Sequence, residues 1–559
     1  MRGWVRGELL ELLPSSFFED PISFIRERGG EVIKESKLRW AAILPLSSGR
    51  RIFFKRDKTK GWFESLKFLF LPSKARKEWF IAYQLQKRKL NIPQPLGWME
   101  KVHRGLVKES YFFSDAIGTG ASLIEDSNQL RDETITAGLA KTVKEIHDSG
   151  LFHKDLHAGN FLWDGESFFL TDLHRAKIIR SLSLNQRLWN LSQLFHSLRF
   201  QWGETERVKF IEKYFEREAV NLEKKEVFLQ KVHSLMGRLQ KRQWQSRTKR
   251  CLKESTEFSI QKERGVSYYH RRDFPLGSLK KIIEDHLRLV EKKPSILVKH
   301  SSEVTVSLLG EAENRVRVSV KHYHPLKFFD RFKERFRRSK GLKAWIAGNG
   351  LITRGVPSLK PFALVERRDW LGLKESFFLM EASETGQELD RYLFRGFKDL
   401  KEKRLFIKAF AQWVSHLHKM DLYHQDMKTC NILVSEKRET WDFHLLDWED
   451  LLLDKEVNLK KLSRNLFQLN ASTPRIMTMT DRLRFLHQYL LNRPVSVDKK
   501  RLVKEVDQKT RKRGVVYVAP WGVVEERPDL PMTYRSVERS GTKEVLRSAE
   551  DDVPMKDTL

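Results

Sequence analysis

Four residues of one short stretch have the types and spacing for moving a phosphoryl group. His153 precedes Asp155 by two positions, Asn160 follows Asp155 by five, and Asp172 follows Asn160 by twelve, at the end of an apolar run containing Phe168, Phe169 and Leu170. A tight loop of this H-x-D-x-x-x-x-N pattern can present Asp155 to an acceptor hydroxyl and return Asn160 to a magnesium ion. A short hairpin can then bring Asp172 to the metal that bridges nucleotide phosphates. Magnesium takes hard oxygen ligands and keeps some of its waters, so a carboxylate plus an amide oxygen is a reasonable protein share. Asp and Asn also mark ordinary turns. That reading weakens because the loop occurs twice: His424, Asp426, Asn431 and Asp447 repeat the pattern.

The elements around the first loop suit that chemistry. Residues 38–45 and 51–56 read as two strands joined by the turn signal Ser47-Ser-Gly-Arg50, and Lys55 closes the second strand. No G-x-G-x-x-G precedes them, so a phosphate-covering glycine loop is missing or built from other residues. Lys55 is a candidate for pairing nucleotide phosphates; the plain alternative is a surface lysine at a strand end. Ser73 is a cap candidate for a helix carrying Glu78, which could hold Lys55 or simply face solvent. The helix should end near Pro93. Residues 110–115 read as a strand, residues 118–122 as a linker where a hinge between two lobes would fall, and residues 134–149 as a helix leading into the loop at His153. Helices continue from Asn185 to about Lys249.

A second copy of this order follows. Lys321 ends a strand 266 positions after Lys55, Trp345 lies 266 after Trp79, Asp426 lies 271 after Asp155, and Asp447 and Asn465 lie 275 after Asp172 and Asn190. Such slow drift is what small loop insertions produce in a duplicated domain. The copies differ at one informative place. Ala344 stands where Glu78 would, so Lys321 lacks the helical carboxylate; either another acid substitutes or this copy binds nucleotide poorly. Gln425 replaces Lys154. Cys430, directly before Asn431, reads as a small buried apolar residue rather than a reactive thiol.

Composition narrows the class. The 559 residues allow two or three domains, and 40% hydrophobic content supports real cores. A net charge of +31 calls for an anionic partner: nucleic acid, an acidic membrane face or a phosphorylated substrate. Arg238, Lys241, Arg242, Arg247, Lys249, Arg250, Arg264, Arg271 and Arg272 form a basic stretch that is either a solvated face or a patch for anionic headgroups. Two distant cysteines, Cys251 and Cys430, exclude a disulfide framework and suit a reducing compartment. No run approaches the roughly 18 apolar residues of a membrane span, and the N-terminus lacks the unbroken apolar segment of a signal peptide. The tail after about Ser536 is polar and expected to be disordered. The expected domains are a lead-in over 1–30, a first domain over 31–250, a basic linker or helical connection over 251–295, a second domain over 296–500 and a partly disordered extension over 501–559.

The sequence resembles the lipopolysaccharide kinase family, the Kdo and core-heptose kinases of the Gram-negative envelope. The resemblance rests on Ser73-Lys-Ala-Arg-Lys-Glu-Trp79, Asn91-Ile-Pro-Gln-Pro95, His153-Lys-Asp-Leu-His-Ala-Gly-Asn-Phe-Leu162 and Asp172-Leu-His-Arg-Ala176. In the second copy it rests on Arg338-Ser-Lys-Gly-Leu-Lys-Ala-Trp345, Gly355-Val-Pro357 and the loop 424–431. It covers roughly residues 30–240 and 300–495. The loops alone are shared with aminoglycoside and choline phosphotransferases and with protein kinases. The resemblance implies an α+β fold of tandem two-lobed protein-kinase-like domains, each with a small β-rich N-lobe and a helical C-lobe. It implies ATP with Mg2+, and phosphorylation of a heptose or Kdo hydroxyl on lipid A-core at the cytoplasmic face of the inner membrane, to which the protein would be peripheral. Carried over, Lys55, Glu78 and Lys321 would serve the nucleotide; Asp155 and Asp426 would be catalytic; Asn160, Asp172, Asn431 and Asp447 would hold metal; His174 and Arg175 would face the acceptor. The rivals are a kinase for small amino-alcohol or aminoglycoside acceptors or for protein serine and threonine, and a basic pseudokinase-type binding or scaffold protein. The expected partner is an anionic glycolipid rather than a specific nucleic acid, and the oligomeric state is open.

Overall fold

The computed structural model describes residues 1–118, 132–218, 220–292, 297–310, 317–324, 337–383, 385–437, 440–493, 498–527, 533–535 and 546–548. The chain divides into two compact α+β units, Met1–Arg242 and Gln243–Leu559.

The first unit begins with a six-stranded antiparallel sheet made of β1 (Arg2–Val5), β2 (Glu31–Glu35), β3 (Arg39–Pro45), β4 (Arg51–Lys58), β5 (Pro95–His103) and β6 (Leu106–Asp115), in the order β1-β5-β6-β4-β3-β2. Period-two alternation in β4 sorts its side chains. Ile52 and Phe54 join an apolar core with Leu9, Leu13, Phe17 and Ile25. Phe53 and Lys55 line a cleft on the opposite side. Residues 1–30, expected as a lead-in, are therefore part of the domain: they supply an edge strand and three short helices that cover one face of the sheet. The three helices are only 6, 5 and 7 residues long, too short to show a helical period, which is why the sequence hid them.

Helix Lys74–Lys87 follows β4 after a short connecting helix, and Ser73 caps it by accepting a hydrogen bond from the Arg76 amide at 3.2 Å. Helices Glu133–Asp148, Leu184–Ser197 and Glu204–Tyr214 pack around a second apolar core that includes Leu139, Val143, Leu191 and Phe210. The expected linker lies beyond Gly118, outside the described residues.

The second unit repeats this order. Its seven-stranded sheet joins β11 (Phe258–Glu263), β12 (Val266–Arg271), β13 (Lys299–His300), β14 (Val304–Gly310), β15 (Arg317–Tyr323), β16 (Pro361–Asp369) and β17 (Gly372–Glu381), in the order β11-β12-β16-β17-β15-β14-β13; β7 to β10 are the short strands around the first loop, Leu151–His153, Phe161–Trp163, Phe168–Leu170 and Ala176–Ile178. β12 pairs antiparallel with β16 as β1 does with β5. Helix Leu276–Lys292 lays Leu279, Ile282 and Ile283 against Val318, Val320 and Phe377 of the sheet. Residues 251–295, expected as a linker, are thus the opening of the second unit, hidden by their charge. At the other end, helix Lys499–Arg513 and the hairpin Val515–Ala519/Gly522–Glu526 are folded onto this unit, with the Val518 amide donating to Asp390 at 2.9 Å. The expected disorder after Ser536 falls almost wholly outside the described residues.

The duplication reaches buried polar detail. His147 Nδ1 lies 2.8 Å from the Tyr214 hydroxyl, and His418 Nδ1 lies 2.7 Å from that of Tyr489. Arg187 donates to the Tyr214 oxygen at 3.0 Å, so the tyrosine proton goes to the imidazole, which must be neutral to accept it. Burial pushes both histidines down to about 3. Their unfolded value is near 6.5, so between these limits the unfolded chain binds more protons. Stability is complete above pH 6.5 and lost as pH falls toward 3, at up to about 1.4 kcal/mol per pH unit for each histidine. Urea denaturation at pH 7, 6 and 5 should show this slope, and His418→Leu should be less stable at pH 7 but lose stability less steeply on acidification.

Candidate active site

The first loop is held by backbone pairing and one buried amide. β7 pairs with β10, and β8 with β9, so the segment between His153 and Asp172 is bound at both ends. Gly150, with φ +82°, starts it where a Cβ would lie 2.0 Å from the Ile179 carbonyl oxygen, so only glycine fits. His153 is buried; its Nε2 faces the Asp172 carbonyl at 3.1 Å and its Nδ1 accepts from the Asp155 amide at 3.2 Å. Asn190, fully buried, donates to the His153 carbonyl and accepts from its amide at 3.4 Å. Asn160 donates from Nδ2 to the Asp155 carbonyl at 2.9 Å, which leaves its oxygen as the ligand a cation could use.

Lys55, Glu78 and Asp172 come together from β4, helix Lys74–Lys87 and the end of the hairpin. Lys55 Nζ lies 3.0 Å from Glu78 Oε2 and 2.5 Å from Asp172 Oδ1, and its side chain is 12% exposed. Burial opposes the ammonium charge, but Glu78 and Asp172 outweigh it and hold the Lys55 pKa above its ordinary value. Asp172 moves the other way: burial raises it, while the hydrogen bond from His174 and the charge of Lys55 bring it well below the carboxylate range. Asp172 also has left-handed backbone, φ +59°, an arrangement that costs about 1–3 kcal/mol in a non-glycine residue and concentrates at functional sites. His174 is buried with Nδ1 2.8 Å from Asp172 Oδ1, turned into this cluster. Glu78, Asp172 and His174 are close enough to hold a metal, but the Lys55 ammonium is already the cation among them. Arg175 pairs with Asp155.

Lys55, Glu78, Asn160 and Asp172 line a cleft of about 320 Å3 with Ala41, Ile43, Phe53, Phe112, Leu162 and Leu170, so an apolar compartment adjoins the charged one. Hard oxygens from Asn160 and Asp172, one lysine and flat apolar walls fit a nucleotide with a divalent cation.

The second unit builds the same frame. Asn431 donates to the Asp426 carbonyl at 2.9 Å, the Asp426 amide donates to His424 Nδ1 at 3.3 Å, and Asn465 donates to the His424 carbonyl at 2.7 Å. Asp447 repeats the left-handed backbone, φ +49°. Lys321 Nζ lies 2.7 Å from Asp447 and 2.5 Å from Glu449. Glu449 was not singled out in the sequence, although counting 275 positions on from His174 would have found it. Lys428, also missed, reaches Asp426 at 2.8 Å. Burial pushes the Cys430 thiol up to about 12, in keeping with an inert residue.

The model of the lipopolysaccharide kinase (Kdo/WaaP) family matches residues 29–214 and 330–489, more than half of the chain and in two segments. The chain belongs to this family. Both matched segments contain their unit's lysine-side helix, loop and metal-candidate aspartate, while β12 and residues 1–28 lie outside them. No curated protein matches the chain. Similar solved structures include one described as WaaP in complex with acyl carrier protein, 18% identical with a TM-score of 0.32, covering 43% of this chain and 99% of that one. Another is an Stt7 homolog from Micromonas algae soaked with ATP, 14% identical with a TM-score of 0.21, covering 27% of this chain and 50% of that one. Among the described residues no helix is long and apolar enough to cross a membrane.

Asn190→Leu should leave the amide and carbonyl of His153 buried without partners, at about 1–3 kcal/mol each. Urea denaturation followed by tryptophan fluorescence should report a loss of about 2–6 kcal/mol, and transfer activity should fall with it because the loop is no longer fixed.

Proposed function

We propose that the chain is an ATP-dependent kinase for a sugar hydroxyl, heptose or Kdo, of lipid A-core, with catalysis in at least the first unit. The observation that carries this reading is the buried Lys55–Glu78–Asp172 cluster beside Asn160 in an apolar-walled cleft, within a chain of the lipopolysaccharide kinase family. We read each unit as a two-lobed kinase-like domain, its sheet forming the smaller lobe.

In this mechanism Lys55 binds the nucleotide phosphates, and Glu78 keeps its ammonium aimed at them. Asn160 and Asp172 would hold Mg2+, which when bound would neutralise charge on the phosphates. Asp155 receives the acceptor hydroxyl and fixes its oxygen in line with the terminal phosphorus. The new bond forms from that oxygen to phosphorus as the bond to the ADP oxygen breaks, and the hydroxyl proton passes to Asp155. Little covalent work falls to the protein; positioning and charge carry the rate. The net charge of +31 suits an acceptor bearing phosphates and carboxylates, and suits peripheral attachment to the cytoplasmic membrane face. A basic binding protein would have no use for a buried lysine between two carboxylates, each of which costs desolvation.

Transfer from labelled ATP to purified lipid A-core should fall about 100-fold or more in Asp155→Asn, with ATP binding retained. Full activity of that variant would move catalysis out of the first unit. Transfer by the wild type to an aminoglycoside or a protein, but to no glycolipid, would establish a different acceptor class.

A further inference from the structure

Ala344 removes the helical acid of the second unit, yet Lys321 is no less paired than Lys55. Its ammonium meets Glu449 Oε1 at 2.5 Å and Asp447 Oδ1 at 2.7 Å, with the Lys321 and Glu449 side chains each 13% exposed. The exchange is reciprocal between the copies. Where the first has Glu78 on the helix and His174 after the aspartate, the second has Ala344 on the helix and Glu449 after the aspartate. Ala344 is buried, and the helix Lys340–Thr353 sits so close to Trp448 that a Cβ on Gly348 would lie 2.4 Å from that indole. The acid has moved from one packed element to the other.

A second exchange, around the loop aspartate, follows the same logic. The cation facing the loop aspartate is Arg175 in the first copy, where Lys428's counterpart is His157. In the second copy it is Lys428, and Arg175's counterpart is Asp450. A decaying site would lose charges singly and leave Lys321 buried without its partner, which is costly. Here both losses are compensated.

We propose that Glu449 is the positioning residue for Lys321, replacing the missing helical glutamate, and that the second unit is thereby a second nucleoside-triphosphate site. The proposal rests on the nucleotide reading of the first site. Lys321 needs a carboxylate that stays on it when Asp447 serves a cation, and Glu449 is the one within reach. The result is a lysine held from the loop side instead of the helix side, with the same charge presented to the phosphates.

The test uses the full chain carrying Lys55→Met, which silences the first site, titrated with ATP and magnesium by calorimetry. One site should remain. Glu449→Gln in that background should weaken it at least about tenfold. Ala344→Glu with Glu449→His, the pairing of the first copy, should recover the affinity to within about threefold of the Lys55→Met parent. A role in folding alone would not be rescued by an acid supplied from the other element. Circular dichroism checks that each variant is folded, and the exchange variant carries the decision if Glu449→Gln is not. Unchanged affinity in Glu449→Gln, or no recovery in the exchange variant, overturns the proposal. Loss of all binding in Lys55→Met while the wild type binds one nucleotide overturns it as well, and leaves the first site standing. No binding by the wild type would defeat the nucleotide reading itself.

Discussion

A buried ammonium ion that must be paired organises each unit. Moving a lysine charge out of water costs several kcal/mol after relaxation, and at an effective dielectric near 20 a carboxylate at 4 Å returns about 4 kcal/mol. One partner is marginal, and two tip the balance. In the first unit the two come from different elements, Glu78 from a helix and Asp172 from the end of a hairpin, while Lys55 comes from the sheet. The pairing therefore fixes three elements against one another. It also explains the rest of the architecture. Lys55 can face a cleft only if Ile52 and Phe54 face away from it, and those need the cover that residues 1–30 provide.

The second unit meets the same constraint with a different set of residues. What is kept is the sum of charges around Lys321, not the element that supplies them. Glu449 can do this because the 3-10 turn Trp448–Asp450 after Asp447 carries it inward, as the turn Leu173–Arg175 carries His174 inward in the first unit. The two left-handed aspartates make that turn possible, and they are retained in both copies despite their conformational cost. The framework beneath, with an asparagine amide donating to the histidine carbonyl and a neutral histidine bound to a tyrosine hydroxyl, is repeated without exchange. Buried hydrogen-bond frames tolerate little substitution, because each lost partner leaves a polar group stranded.

That difference decides what the sequence could reveal. The loops at His153 and His424, the lysine strands, the Ser73 cap and the repeat itself were legible because they depend on fixed spacing and on local chemistry. Glu78 was legible because a helix period and a cap place it one turn from Ser73. Glu449 was within reach only through the repeat, 275 positions on from His174, since its partner lies 128 residues away and no local period within Asp447-Trp448-Glu449-Asp450 points at Lys321. The covers of the two sheets were not legible. Residues 1–30 and 258–292 are helices and strands whose apolar faces exist only against a distant sheet, and their charged residues masked the pattern. Local rules describe what a segment can be, while its partner across the fold decides what it is.

The cations beside Asp155 and Asp426 bear on how such a loop works within the proposed mechanism. Arg175 and Lys428 each place a positive charge on the carboxylate, which engages one of its oxygens and fixes its direction. A reaction that needed full deprotonation of the hydroxyl before attack would want both carboxylate oxygens free to act as base. A loose transition state, in which the proton leaves late, makes no such demand. The carboxylate then serves mainly to orient the hydroxyl, and the neighbouring cation keeps it pointed while adding positive potential where charge spreads over the transferred oxygens. The two copies place that cation at different positions in the chain, two residues after the aspartate in one and twenty in the other. Such freedom is expected of a charge acting through its field, and would not be tolerated in a group that had to make a directed proton transfer of its own.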